Sequence, residues 1–217
     1  LIVAERHATR HVAGWMLAYT DWELLRNAPC AVLLVKVAKP YHRPVILTAI
    51  DPFHAHEKPA RLDVALLAAS GSVAESLKGK LHIVHCVPPS TLVATGWASG
   101  PIVVDAGRGT KALSRAKQAL AAEVARHPLP SHKLAILEGA AREAIPQAAR
   151  QVKASLVVMG AVSRSGLKRL LIGNTAEAIL DALTCDVLVI KPGRFQSKIA
   201  RRSRGAQLMS LPNAMTG

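Results

Sequence analysis

Along this chain, short β-branched apolar runs alternate with longer segments in which apolar residues recur every three or four positions. The runs predict buried strands at 44–50 (PVILTAI), 80–87 (KLHIVHCV), 132–139 (HKLAILEG), 154–160 (ASLVVMG) and 186–192 (DVLVIKP). Pro52, Pro88 and Pro89 stop the first two of these runs. Helices are expected over 58–78 and from about 110 to 126, 141 to 152 and 174 to 183. The stretch 90–109 has turn signals and no clear period, so it reads as a loop. Strands alternating with helices imply a parallel sheet covered on both faces, here five-stranded. Right-handed crossovers make it doubly wound, with ligands expected beyond the carboxyl ends of the strands.

The same pattern occurs twice. Residues 1–36 lie without a gap over 156–191, a shift of 155 positions. Leu1/Leu156, Val3/Val158, Thr20/Thr175, Leu25/Leu180, Cys30/Cys185, Val32/Val187, Leu33/Leu188 and Lys36/Lys191 are identical, and most other apolar positions match in kind. A shift of about one domain length means that the chain opens inside one copy and holds the second whole. Residues 1–37 are accordingly read as the end of a first domain and 38–43 as a linker marked by Pro40. Residues 44–193 form a complete domain, and 194–217 a basic tail expected to be disordered. The first residue is not Met and already belongs to an apolar run, so the natural N-terminus is expected to lie upstream.

Composition narrows the class. Half of the 217 residues are hydrophobic, yet no apolar run approaches the roughly 18 residues of a membrane span. Charged residues interrupt the first twenty positions where a signal peptide needs an apolar core, so a cytoplasmic protein is expected. Three widely spaced cysteines fit neither a disulfide framework nor a zinc cluster and read as reduced, buried thiols. The net charge of +14 raises a polyanionic partner, but aromatics are only 3% of residues. With stacking platforms so scarce, the sequence argues against nucleic acid as a partner.

Candidate chemistry gathers in 157–177, VVMGAVSRSGLKRLLIGNTAE. An apolar run ends at Gly160, a basic loop carrying Ser163 and Gly166 follows, and Gly173 precedes Asn174, which pairs with Glu177 as a helix-opening cap. Glycines let backbone amides approach a ligand, and a helix N-terminus attracts anions, so the arrangement suits a phosphate. Equivalent positions in the first copy are Glu5, Ala8 and Ala18, which place an acid and two Cβ atoms where such a loop needs bare backbone. His54 and His56 beside Glu57 lack a third metal ligand, and His82 and His85 fall on opposite faces of one strand. No series of nucleophile, base and orienting group emerges, so the chain reads as non-enzymatic.

Gly160 and Gly173 at their spacing, Asp51 at the end of the first strand, and the closing run DVLVIKP resemble the universal stress proteins. The tandem arrangement, with EGAAREAIP and LLIGNTAE, is similar in particular to the two-domain E-type branch. The resemblance covers 44–192 as one Rossmann-like domain of the HUP type, and 1–36 as the end of another. It implies an adenine nucleotide, ATP with Mg²⁺. Gly160, Gly173 and Asn174 would hold phosphate, Asp51 would contact ribose or base, Met159 would line the pocket, and the Thr175 hydroxyl would supplement the cap. Ser163 replaces a glycine of the family pattern and Asn174 its Ser or Thr, with Gly166 as a compensating glycine. It further implies that the closing strands, 31–36 and 186–191, meet across a pseudo-twofold within the chain, or between chains in a homodimer. The alternative is a degenerate scaffold that acts through protein partners or another anionic or acyl ligand.

Overall fold

The computed structural model describes residues 1–5, 14–53, 62–87, 106–160 and 174–192, with backbone alone at 14–20, 106–109 and 174. In chain order the elements are β1 (Ile2–Glu5), α1 (Gly14–Asn27), β2 (Val32–Val35), β3 (Val45–Ala49), α2 (Leu62–Ser76), β4 (Lys80–Val87), α3 (Ala106–Val124), β5 (His132–Glu138), α4 (Ala141–Gln151), β6 (Leu156–Gly160), α5 (Asn174–Ala182) and β7 (Asp186–Ile190). The seven strands form one sheet in the order β1-β2-β7-β6-β3-β4-β5. From β7 to β5 every pairing is parallel, which is the five-stranded doubly wound sheet read from the apolar runs. One boundary needs correction: residues 106–109, expected in a loop, already belong to α3. Gly107 and Gly109 fall in its first turn, where a long amphipathic helix tolerates glycine. The basic tail, the 54–61 histidines and the loop 161–173 lie outside the described residues.

Strand alternation sorts the core into two layers. Leu47, Val84, Val157, Met159, Val187 and Val189 face α4 and α5 together with Ile145, Ala148, Ile179 and Leu180. Ile46, Ile83, Leu156, Val158 and Leu188 face α2 and α3 with Leu62, Leu66, Leu67 and Leu120. Burial on both sides explains why the central runs are apolar at consecutive positions instead of every second one. No helix among the described residues is long and apolar enough to cross a membrane.

The two copies meet in mid-sheet. β2 pairs antiparallel with β7 in the register Val32↔Val189, Leu33↔Leu188 and Leu34↔Val187. Val32 corresponds to Val187 in the repeat and Leu34 to Val189, so the pairing is centred on Leu33 and Leu188 and has local twofold symmetry. The closing lysines repeat that symmetry. Lys36 Nζ donates to the carbonyls of Leu180, at 2.6 Å, and Leu183 at the end of α5. Lys191 Nζ donates to the carbonyl of Ala28 just beyond α1, at 2.5 Å, and Ala28 is the repeat equivalent of Leu183. Each cation thus meets the negative end of the other copy's helix. Asp186 breaks the symmetry, because its equivalent is Ala31. Its Oδ1 accepts from the Lys36 and Val37 amides at 2.7 and 3.0 Å, and its Oδ2 from the Tyr41 hydroxyl at 2.5 Å.

Candidate functional site

Strand β3 continues through α2 to β4 on one side, while its other neighbour, β6, is reached only after β5 and α4. The chain therefore changes direction between β3 and β6, and the crevice beyond their carboxyl ends is the topological switch point. Thr48 pairs with Val158, so Asp51 and Gly160 emerge side by side there. These are two of the positions singled out by sequence.

Asp51 sits in a built environment. Its Oδ1 lies 3.6 Å from His85 Nδ1 and receives the Phe53 amide at 3.4 Å. The Asp51 amide points toward Asp63 Oδ1 at 3.5 Å, near the start of α2. His85 is buried, and its Nδ1 lies 3.1 Å from the carbonyl of Ile50. A carbonyl only accepts, so Nδ1 carries a proton and is the donor on this side of the ring, facing the Ile50 carbonyl with Asp51 nearby. The Phe53 ring tilts against His85 at 5.4 Å between centroids, and Arg115 lies over it at 5.7 Å. Burial first, then the Asp51 carboxylate, pushes the Cys86 thiol up to about 11, so it stays protonated at neutral pH and is no activated nucleophile.

Gly160 carries a packing constraint. A Cβ there would come within 2.7 Å of Leu62 Cδ2, at the first turn of α2. The bare backbone thus lets α2 start hard against the end of β6. Met159, read from the sequence as lining, is 5% exposed and packs on the α4 and α5 side of the sheet. α5 starts at Asn174, where the sequence placed a helix start; Glu177 in its first turn pairs with Arg26 at 2.9 Å, and Thr175 is exposed. Ser163, Gly166 and Gly173 lie outside the described residues. Among the described residues no group of three or more His, Cys, Asp or Glu is placed to hold a metal ion.

His85, Asp63 and Phe53 were not singled out by sequence as site residues. His85 was set aside because it cannot pair with His82 across a strand, and the structure does put them on opposite faces: His85 is buried and His82 half-buried. The approach of His85 to Asp51 spans β3 and β4 and leaves no trace in local spacing.

The sequence profile of the universal stress protein family matches residues 44–191. The chain is similar to universal stress protein E of Salmonella typhi, 31% identical over 209 residues that cover 92% of this chain and 63% of that one. It therefore spans less than two thirds of that relative. Universal stress protein A homolog 1 of Coxiella burnetii is 32% identical over 149 residues, covering 69% of this chain and 96% of that protein. A crystal structure from Pseudomonas aeruginosa UCBPP-PA14, provisionally described as a universal stress protein, superposes with a TM-score of 0.67 at 32% identity, covering 88% of this chain and 63% of that one.

Proposed function

Since the chain belongs to the universal stress protein family, we propose that it is a stress-response module that holds an adenine nucleotide, ATP with Mg²⁺, at the switch point of its second repeat. The observation that carries this reading is the emergence of Asp51 and Gly160 from adjacent strand ends at the switch point. Asp51 takes the ribose or base. Its carboxylate is 28% exposed and is held by the Phe53 amide and His85. The loop through Ser163, Gly166 and Gly173 supplies amides to the phosphates, and the N-terminus of α5 at Asn174 and Thr175 adds its dipole. Met159 acts from the core, where it anchors β6. The module binds without a catalytic cycle, and residues 1–36 serve as the closing half of a tandem partner domain of the E-type arrangement.

Equilibrium dialysis of the protein with labelled ATP and Mg²⁺ tests the site. Asp51→Ala is expected to weaken binding at least tenfold, about 1.4 kcal/mol. Turnover of ATP that Asp51→Ala abolishes would contradict the non-enzymatic reading. The β2·β7 seam with its reciprocal lysines favours a second reading, a scaffold that works through association. Absence of binding at millimolar ATP would select it.

A further inference from the structure

Opposite the switch point, at the amino ends of the parallel strands, the sheet carries a row of exposed cations. Lys153 precedes β6, Arg43 precedes β3, Lys78 and Lys80 precede and open β4, and Lys133 follows His132 at the start of β5. The registers Ile46↔Leu156, Val45↔Lys80 and Leu81↔His132 bring these positions to one edge. In sheet order they run β6, β3, β4, β5, and at a strand spacing of about 4.8 Å the row spans roughly 15 Å. Arg150, at the end of α4, extends it and lines a surface pocket with Lys153, Pro146 and Cys185.

Three arginines elsewhere on the surface are paired: Arg26, Arg126 and Arg142 with Glu177, Glu123 and Glu143. No ion pair among the described residues engages Arg43, Lys78, Lys80, Lys133, Arg150 or Lys153. Of the carboxylates at this end, Asp186 is occupied by Lys36, Val37 and Tyr41, and Glu123 by Arg126, while Glu75 and Asp181 are exposed. Burial and the nearby Lys133 and Lys80 hold His82 below the usual histidine range, consistent with a positive local field.

The backbone supplies an independent observation. Among the described residues, the non-glycine residues at positive φ are Arg43 at 48°, Lys78 at 49° and Lys153 at 53°, all three cations of this row. Lys78 and Lys153 follow the ends of α2 and α4 in the 6→1 and 5→2 pattern, with Gly79 and Ala154 amides bonded to Ala74 and Ala149 carbonyls. Glycine is the ordinary occupant of that left-handed position. Compensation of a helix dipole accounts for a cation in a last turn. It does not account for a cation in the left-handed position itself, nor for Arg43, Lys80 and Lys133 at strand starts. Strain retained in one place points to function.

We propose that this edge docks the phosphodiester backbone of duplex nucleic acid without reading its bases. A linear row suits a linear polyanion. Tyr41, the tyrosine at this end, is tied through its hydroxyl to Asp186, so the edge is poor in stacking platforms, which turns the choice from single strands to a duplex backbone. The surface is separate from the proposed nucleotide site and does not depend on it.

The test is fluorescence anisotropy with a labelled 20-base-pair DNA duplex of mixed sequence, from 50 to 200 mM salt. The full chain is compared with Arg43→Gly/Lys78→Gly/Lys153→Gly and with Arg201→Gln/Arg202→Gln/Arg204→Gln. Glycine fits each left-handed position, so the first variant is expected to melt at or above the wild-type temperature. It should bind the duplex at least tenfold more weakly at 50 mM salt, with a log–log salt slope shallower by about 2 to 3, near one per phosphate contact. The tail variant should stay within about threefold of wild type. Asp51→Ala should bind the duplex as wild type does. Three results overturn the proposal: no wild-type binding tighter than about 100 μM at 50 mM salt, unchanged affinity and slope in the glycine variant, or loss confined to the tail variant. Binding to phosphatidylserine vesicles with none to the duplex overturns it as well.

Discussion

Residues 1–36 and 156–191 share a sequence pattern and fold into the same β-α-β unit, yet their surroundings give them different fates. β6 lies between β7 and β3 with helices on both faces, and Val158 is fully buried against α2 and α3. β1 is an edge strand, and Val3, the equivalent of Val158, is 60% exposed. The helices differ too. α1 starts at Gly14, whereas α5 starts at Asn174, whose equivalent is residue 19. Ala18, which stands where the second copy has Gly173, is therefore inside a helix. The repeat preserves architecture, while Gly160 and Gly173 of the second copy are Glu5 and Ala18 in the first.

The largest break in that comparison is expected at Asp186, where the first copy has Ala31. Asp186→Ala removes the charged acceptor of two part-buried amides and of the Tyr41 hydroxyl, and should cost on the order of 4 kcal/mol in denaturant unfolding. A cost below about 1 kcal/mol would mean that the seam does not hold the linker. Next in size is the paired truncation. Val158→Ala should cost about 2 to 3 kcal/mol by opening a cavity, and Val3→Ala no more than about 0.5 kcal/mol. Equal costs would show that β1 is covered in solution.

The smallest effect is pH-dependent. Burial, then the Asp186 hydrogen bond and charge, push the Tyr41 hydroxyl well above its ordinary value. A folded pKa raised above the unfolded one gives stability that is complete below about pH 10 and lost as pH rises toward the folded value. Lys191 works in the opposite sense, because burial pulls it down to about 8, and stability rises from there toward the unfolded lysine value. The difference between wild type and Tyr41→Phe isolates the first effect. It should be about 1 kcal/mol at pH 8 and shrink above pH 10.

Much of the fold was legible because its signals are local. β-branched runs marked all five parallel strands, and the ungapped repeat foretold that Leu33 and Leu188 would sit in equivalent strands. Their antiparallel pairing follows from the implied pseudo-twofold and is present. The site was only half legible. Asp51 stood out because a strand ended there, but the His85 contact depends on the pairing of β3 with β4. Gly160 was read as bare backbone for a ligand, while the structure adds Leu62 as a neighbour that also needs the missing Cβ. The cation row escaped notice because its members are scattered from Arg43 to Lys153 and only the parallel registers gather them. Positive φ at Lys78 and Lys153 has no signal in composition, since glycine is what the position ordinarily announces.

The most direct test of the central claim, one site in the second copy and none in the first, is the stoichiometry of ATP binding. Isothermal titration of the full chain with Mg²⁺ and ATP should give one site per chain, lost in Gly173→Asp and retained in Val3→Ala. Two sites per chain, or one that survives Gly173→Asp, would contradict it.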